Sequence, residues 1–245
     1  MAELFAGTSG WAYPSWKPAF YPEKLAQSKF LEHYSRRLNT VEVNYTFRHR
    51  LTEKTVQSWL ATTPENFQFG IKAHQAITHF ARLRDVAELT REFLKSIEPF
   101  LRAGRLGPVL FQTPESFKCD LSVLTEFLRT LPKQTGYRFA FEFRNRAWFD
   151  DKVFNLLRES GAALCVAESD ELAAPDIQTA PFRYYRFRRT DYSKDELAQL
   201  RARVRQALDT GADVYCYFKH EDDPTGAVWA EEMLKSIRGQ AARAE

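Results

Sequence analysis

The chain has 245 residues, 44% of them hydrophobic and 27% charged, with a formal net charge of +3 and a sequence pI of about 8.7. That supplies apolar material for a sizeable core, and too little charge imbalance for a dedicated nucleic-acid binder, which more often exceeds a pI of about 9 with clustered charge. Three scattered cysteines, Cys119, Cys165 and Cys216, argue against a disulfide framework, and the opening Met1-Ala-Glu-Leu-Phe has neither a basic start nor a long apolar stretch, so we expect no signal peptide, no membrane partner and a reducing, cytoplasmic setting.

Short β-rich runs alternate with helical patterns along the whole chain. Leu4 to Thr8 reads as a first strand, broken by Gly10, and Thr40 to Asn44 as a second. Phe67 to Lys72 is a third, followed by Leu89, Phe93, Leu94 and Ile97 at helical spacing. Pro108 to Gln112 is a fourth strand, and Leu121, Leu124, Phe127, Leu128 and Leu131 form the next apolar stripe. Tyr137 to Phe143 is a fifth strand, Gly161 stops the helix after it, and Ala162 to Ala167 is a sixth. The connection Glu171 to Ala180 is the weakest as a helix and reads as a loop or short turn. Arg183 to Phe187 is a seventh strand. Ser193-Lys-Asp-Glu196 has the form of a capping box and opens a helix striped by Leu197, Leu200, Val204 and Leu208. Gly211 stops that helix, and Asp213 to Phe218 is the eighth strand.

A strand followed by a crossover, repeated eight times, requires parallel strands. Closing them leaves no exposed sheet edge, and a chain of this length matches the roughly 250 residues of an eight-fold barrel. The expected fold class is therefore α/β, a single (β/α)8 TIM-barrel domain over residues 1–245. An open doubly wound sheet is the competing arrangement, weakened because no Gly-rich phosphate fingerprint follows the first strand.

The first loop, Gly7-Thr-Ser-Gly-Trp-Ala-Tyr-Pro-Ser-Trp16 with Phe20-Tyr-Pro22, resembles the opening of the YecE-like family, known as domain of unknown function 72. The resemblance continues through Thr40 to Asn44 with Thr46-Phe47, Phe69 to Ala73, Thr78-His79, Leu106 to Gln112, Glu142-Phe-Arg144 with Trp148, Thr179-Ala180 and Tyr184-Tyr-Arg186. It covers nearly the whole chain and implies a TIM barrel without implying an established activity. The chain departs from the family pattern at Arg186-Phe-Arg-Arg-Thr190, where a His-Gly pair is usual after the Arg, and at Lys219-His220, where paired Asn are frequent. It departs again after the sixth strand, where Glu168 and then Asp170 replace a common Asp.

In such a barrel, side chains at the C-terminal strand ends converge on one mouth. Those ends carry Glu42 and Asn44, Lys72 and His74, Gln112, Glu142 and Arg144, Glu168 and Asp170, Arg186 and Arg188, and Lys219 and His220. Lone buried charges are costly, so the inward ones should be paired. One reading is an ion network that plugs the barrel. The other is a cationic pocket in which Lys72, Arg144 and Arg186 clamp an anion, with Glu42 and Glu142 as candidate general bases. Asn44, His74, Gln112, Trp11, Tyr13 and Trp148 are the further candidate substrate contacts, the aromatics by stacking.

The reaction expected first is hydrolysis of a phosphate ester or phosphodiester, with an anionic small molecule or nucleic acid as the partner at the mouth. The alternative is a binding protein for nucleic acid or a small anion without turnover. Glycoside hydrolysis ranks lower, because a general acid needs a raised pKa and cations crowd these carboxylates. The cofactor is left open by the sequence. A divalent metal on Glu42, His74, Glu142 and Glu168 is possible but not favoured, for the same reason and because His74 and His79 lack HExxH spacing, and a weak magnesium site stays open.

Overall fold

The computed structural model describes residues 2–133, 136–170, 172–219 and 223–241. Its eight strands are β1 (Leu4–Thr8), β2 (Thr40–Val43), β3 (Gln68–Lys72), β4 (Leu106–Thr113), β5 (Phe139–Phe143), β6 (Ala163–Glu168), β7 (Phe182–Phe187) and β8 (Asp213–Phe218). They are the eight segments read from the sequence, with ends moved by at most two residues. The α-helices are α1 (Phe30–Ser35), α2 (Glu53–Thr62), α3 (Ala87–Arg102), α4 (Leu121–Thr130), α5 (Asp151–Ser160), α6 (Lys194–Asp209) and α7 (Thr225–Ala241).

Every strand pairing is parallel, in the order β1-β8-β7-β6-β5-β4-β3-β2. The ring closes between β1 and β2, where side chains replace the backbone ladder. The Asn39 side chain accepts from the Ala6 N–H at 3.0 Å and donates to the Leu4 carbonyl at 2.7 Å. The Tyr34 hydroxyl accepts from the Thr8 N–H at 2.9 Å and reaches the Thr40 carbonyl at 3.0 Å. The two strands press together so closely that a Cβ at Gly7 would lie 2.0 Å from the Thr40 carbonyl oxygen, which admits glycine alone.

Alternation along each strand produces two separate cores. One fills the barrel and contains Phe5, Leu110, Cys165, Phe182, Tyr184 and Tyr217. The other lies between barrel and helices and takes the opposite strand faces, such as Tyr185 and Phe187 of β7 and Val214 and Cys216 of β8. Cys165 and Cys216 are buried thiols, one in each core.

The helix boundaries follow local chemistry. Ser193 and Glu196 make the reciprocal bonds of a capping box at the start of α6. Gly161 ends α5 in the left-handed conformation at φ 68°, donating back to the carbonyls of Leu157 and Arg158. The β6–β7 connection contains no α-helix among its described residues. Ion pairs pin it instead: Asp176 pairs with Arg183 and lies 3.6 Å from Arg203.

Candidate functional site

Parallel strands put all eight C-terminal ends at one mouth, and the last inward residues of β2, β5 and β7 are Glu42, Glu142 and Arg186. All three are almost completely buried, at 0%, 2% and 1% exposure. Arg186 donates from Nη2 to Glu42 Oε1 at 2.7 Å and from Nη1 to Glu142 Oε2 at 2.5 Å. The remaining carboxylate oxygens are also engaged. Tyr184 Oη donates to Glu42 Oε2 at 2.6 Å, while Gln112 Nε2 at 2.8 Å and Arg144 Nε at 3.2 Å donate to Glu142 Oε1. This meets the requirement that a buried charge be both paired and hydrogen-bonded.

The electrostatics follow from that arrangement. Burial is the largest single influence and raises both carboxyls, but the surrounding groups together outweigh it, so both lie below the ordinary carboxylate range. Arg186 leads the opposing set in each case, joined at Glu42 by Tyr184 and Lys72 and at Glu142 by Arg144, Arg188 and the Gln112 amide. Lys72, the last residue of β3, is pulled down to about 8 by burial and by Arg186, against the opposing pull of Glu142 and Glu42. Its Nζ sits 4.1 Å from the centre of the Phe47 ring. Burial, with Lys72 and Arg144 nearby, lowers His79 to about 4.

Two cavities open at this end. One of about 500 Å³ is lined by Glu142, Arg144, Asn145, Arg146, Ser169 and Arg188 among others. The second, about 380 Å³, is lined by Asn44, Phe47, Arg48, Lys72 and Arg186, and it shares Arg144 and Arg188 with the first. Cations therefore outnumber carboxylates along the joint wall. Two buried polar atoms have no partner among the described residues and belong to residues lining the second cavity, Arg186 Nε and Asn44 Oδ1. Asn44 donates through its amide to the Ser9 carbonyl at 3.0 Å.

The structure thus brings together Glu42, Asn44, Lys72, Gln112, Glu142, Arg144 and Arg186. It places the other candidates elsewhere. Trp148 is fully buried, stacked on Phe143 and donating from its indole N–H to the Phe117 carbonyl at 2.7 Å. Trp11 packs edge-on against Trp59 of α2 at 4.9 Å, and Tyr13 lies 5.2 Å from Trp16, both against the barrel–helix core. His74 accepts from the Ala76 N–H at 3.1 Å and so fastens the turn after β3. Glu168 is on the outward register of β6 and pairs with Arg203 of α6 at 3.2 Å, so it does not join the mouth carboxylates. His220 lies outside the described residues.

Sequence reading missed the aromatics that do reach the mouth. The 3-10 turn Tyr45–Phe47 directly follows β2 and presents Phe47 to Lys72. Tyr45, 53% exposed, stacks on His49 at 4.6 Å. The His79 ring meets Phe47 edge-on at 4.9 Å. Their signal was position alone: Tyr45 and Phe47 lie among the five residues between Glu42 and the basic run Arg48-His-Arg50. After β3 the chain forms a π-turn over Ala76–Phe80, followed by Arg82, Leu83 and Asp85 with φ of 50°, 66° and 52°. Three non-glycine residues in the left-handed region so close together mark a strained segment beside the site.

Among the described residues no group of three or more His, Cys, Asp or Glu is placed to hold a metal ion, and no helix is long and apolar enough to cross a membrane.

Fold and strand-end cluster together define a (β/α)8-type barrel with a buried Glu–Arg–Glu bridge beneath a cation-rich mouth. The chain belongs to the family described as "Protein of unknown function DUF72", whose model matches residues 5–245. It is 29% identical over 185 residues to the UPF0759 protein YunF of Bacillus subtilis, a match covering 72% of this chain and 64% of that protein. It is 32% identical over 135 residues to the UPF0759 protein YecE of Escherichia coli, covering 55% of this chain and 46% of that one. The matched part is therefore less than two thirds of either curated relative. A DUF72 family protein from Thermotoga maritima, known from its crystal structure, superimposes with a TM-score of 0.86 at 27% identity, covering 96% of this chain and 99% of that chain.

Proposed function

We propose that the barrel mouth binds a phosphorylated or otherwise anionic small molecule, and that the protein is an enzyme acting on it. The observation carrying this reading is the joint wall of the two cavities, where Arg144 and Arg188 serve both spaces and Lys72 and Arg48 add charge. Guanidinium groups present paired N–H donors that match phosphate and carboxylate oxygens. The orphaned Arg186 Nε and Asn44 Oδ1 supply one donor and one acceptor for a polar ligand. Phosphoester hydrolysis is the reaction class expected from the sequence. In it Glu142 orients the Arg144 and Arg186 guanidiniums, because a carboxylate held this far below its ordinary range is a weak proton acceptor. Free thiols at Cys119, Cys165 and Cys216 fit a reducing, cytoplasmic setting.

The test is calorimetric titration with inorganic phosphate, pyrophosphate and a sugar phosphate, together with a phosphatase and phosphodiesterase screen on wild type and Glu142→Gln. Saturable binding with turnover that the variant loses supports an enzyme. Saturable binding without turnover on any substrate supports the second reading, a binding protein for small anions or nucleic acid. Absence of binding by all three anions contradicts both.

A further inference from the structure

The four carboxylate oxygens at the mouth are all committed to donors other than Lys72. Glu42 is taken by Arg186 and Tyr184, and Glu142 by Arg186, Gln112 and Arg144. Among the described residues the Lys72 ammonium consequently makes no ion pair. It rests over the Phe47 ring at the end of β3, facing a cavity whose other charged lining groups are Arg48, Arg144, Arg186 and Arg188. A half-buried amine among guanidiniums, with an apolar face beneath it, loses stabilisation of its charged form, which is how a lysine becomes a nucleophile near neutral pH. Its lowered proton affinity, to about 8, agrees with that geometry.

We propose that Lys72 is a covalent site, whose amine condenses with the aldehyde or ketone carbonyl of an anionic ligand held at the mouth to form an imine. This rests on the anion-binding reading above, since the ligand is held by the same guanidiniums. The ammonium first gives a proton to solvent. The free amine then attacks the carbonyl carbon, forming the C–N bond, and the carbonyl oxygen collects two protons and leaves as water. The product is a protonated imine, so the sum is carbonyl plus ammonium giving iminium plus water, with no oxidant or further reactant. Arg186 Nε and Asn44 Oδ1, on residues lining the same cavity, are the unpartnered donor and acceptor available to the carbonyl oxygen as it becomes a leaving group. Glu42 and Glu142 act favourably on the cation that results, as they do on the ammonium.

The experiment uses the full chain, with pyridoxal 5′-phosphate as an anionic aldehyde and pyridoxal as the counterpart that lacks the phosphate. At pH 8, borohydride traps any imine and peptide mapping locates it. About half of the Lys72 amines are unprotonated at that pH, against roughly 0.4% for a lysine of ordinary pKa. Lys72 should therefore be modified about tenfold or more faster than exposed lysines, faster by the phosphorylated aldehyde, and more slowly when inorganic phosphate is present. Lys72→Arg should take up none of the fast label. Labelling spread evenly over the lysines, or leaving Lys72 until last, overturns the inference, and the wild-type map alone decides this whether or not the variant folds. Phosphate binding by calorimetry with no preference for Lys72 sinks the covalent site and spares the anion reading. Fast Lys72 labelling that phosphate does not slow, by a protein that binds no phosphate, does the reverse.

Discussion

Arg186 on β7 donates to Glu42 on β2 at 2.7 Å, a bond that crosses the barrel interior between strands that are not neighbours. Together with its second arm to Glu142 it ties three separate parts of the sequence into one buried unit. Removing one member of such a unit leaves uncompensated charge in a low-dielectric space. Arg186→Met should cost about 3–5 kcal/mol of unfolding free energy in urea. A loss below about 1 kcal/mol, the range of exposed pairs, would mean that the carboxylates are solvated.

The acid side of the stability profile has a fixed sign. Burial opposes ionisation of Glu42 and Glu142, and Arg186 together with the other cations and donors around them outweighs it, so both folded-state pKa values lie below those of the unfolded chain. Their stabilisation is complete above the unfolded value, about 4.3, and is lost as pH falls below it. Urea midpoints measured from pH 7 to pH 3 should decline below about pH 5. Glu142→Gln should flatten the decline. An unchanged slope in that variant would assign acid sensitivity to other carboxylates.

Lys72 predicts the opposite limb. Burial and Arg186 lower it from 10.5 to about 8, with Arg144 adding to the fall and Glu142 and Glu42 resisting it. Lys72 also acts on His79, and Arg188 lines the same cavity. Between those two pH values the unfolded chain holds the proton that the folded chain has released. The Lys72 contribution to stability should therefore grow as pH rises through that window. Subtracting the profile of Lys72→Met isolates the effect, and a flat difference would show that the ammonium is well solvated.

At the β1–β2 seam, Asn39→Ala removes both the acceptor for the Ala6 N–H and the donor to the Leu4 carbonyl. Each backbone group left unpaired costs about 1–3 kcal/mol. Thermal unfolding should shift downward accordingly, and hydrogen exchange should accelerate at Ala6 more than at amides of β4 or β5. Uniform acceleration over all strands would show that the seam opens only with global unfolding.

Strand alternation made much of this site legible before any coordinates. Glu42, Lys72, Gln112, Glu142 and Arg186 occupy the inward register near the C-terminal ends of β2, β3, β4, β5 and β7, and period-two geometry fixes where such residues go. The same argument misplaced Glu168, because β6 runs one residue further than its apolar stretch and ends on the outward register. Loop aromatics obey no period. Trp11 and Trp148 share composition with Tyr45 and Phe47, yet the first pair packs against the barrel–helix core while the second reaches the mouth. The seam was equally hidden, since Tyr34 belongs to α1 and Asn39 to the turn before β2, and neither carries a strand signal.

The direct test of the mouth as an anion site is a crystal soaked in tungstate, a phosphate mimic whose metal scatters anomalously. The account predicts an anomalous peak between the shared guanidiniums, within hydrogen-bonding reach of Arg144 and Arg188, that inorganic phosphate displaces. Tungstate bound elsewhere on the surface, with no peak at the mouth at any concentration the crystals tolerate, would contradict it.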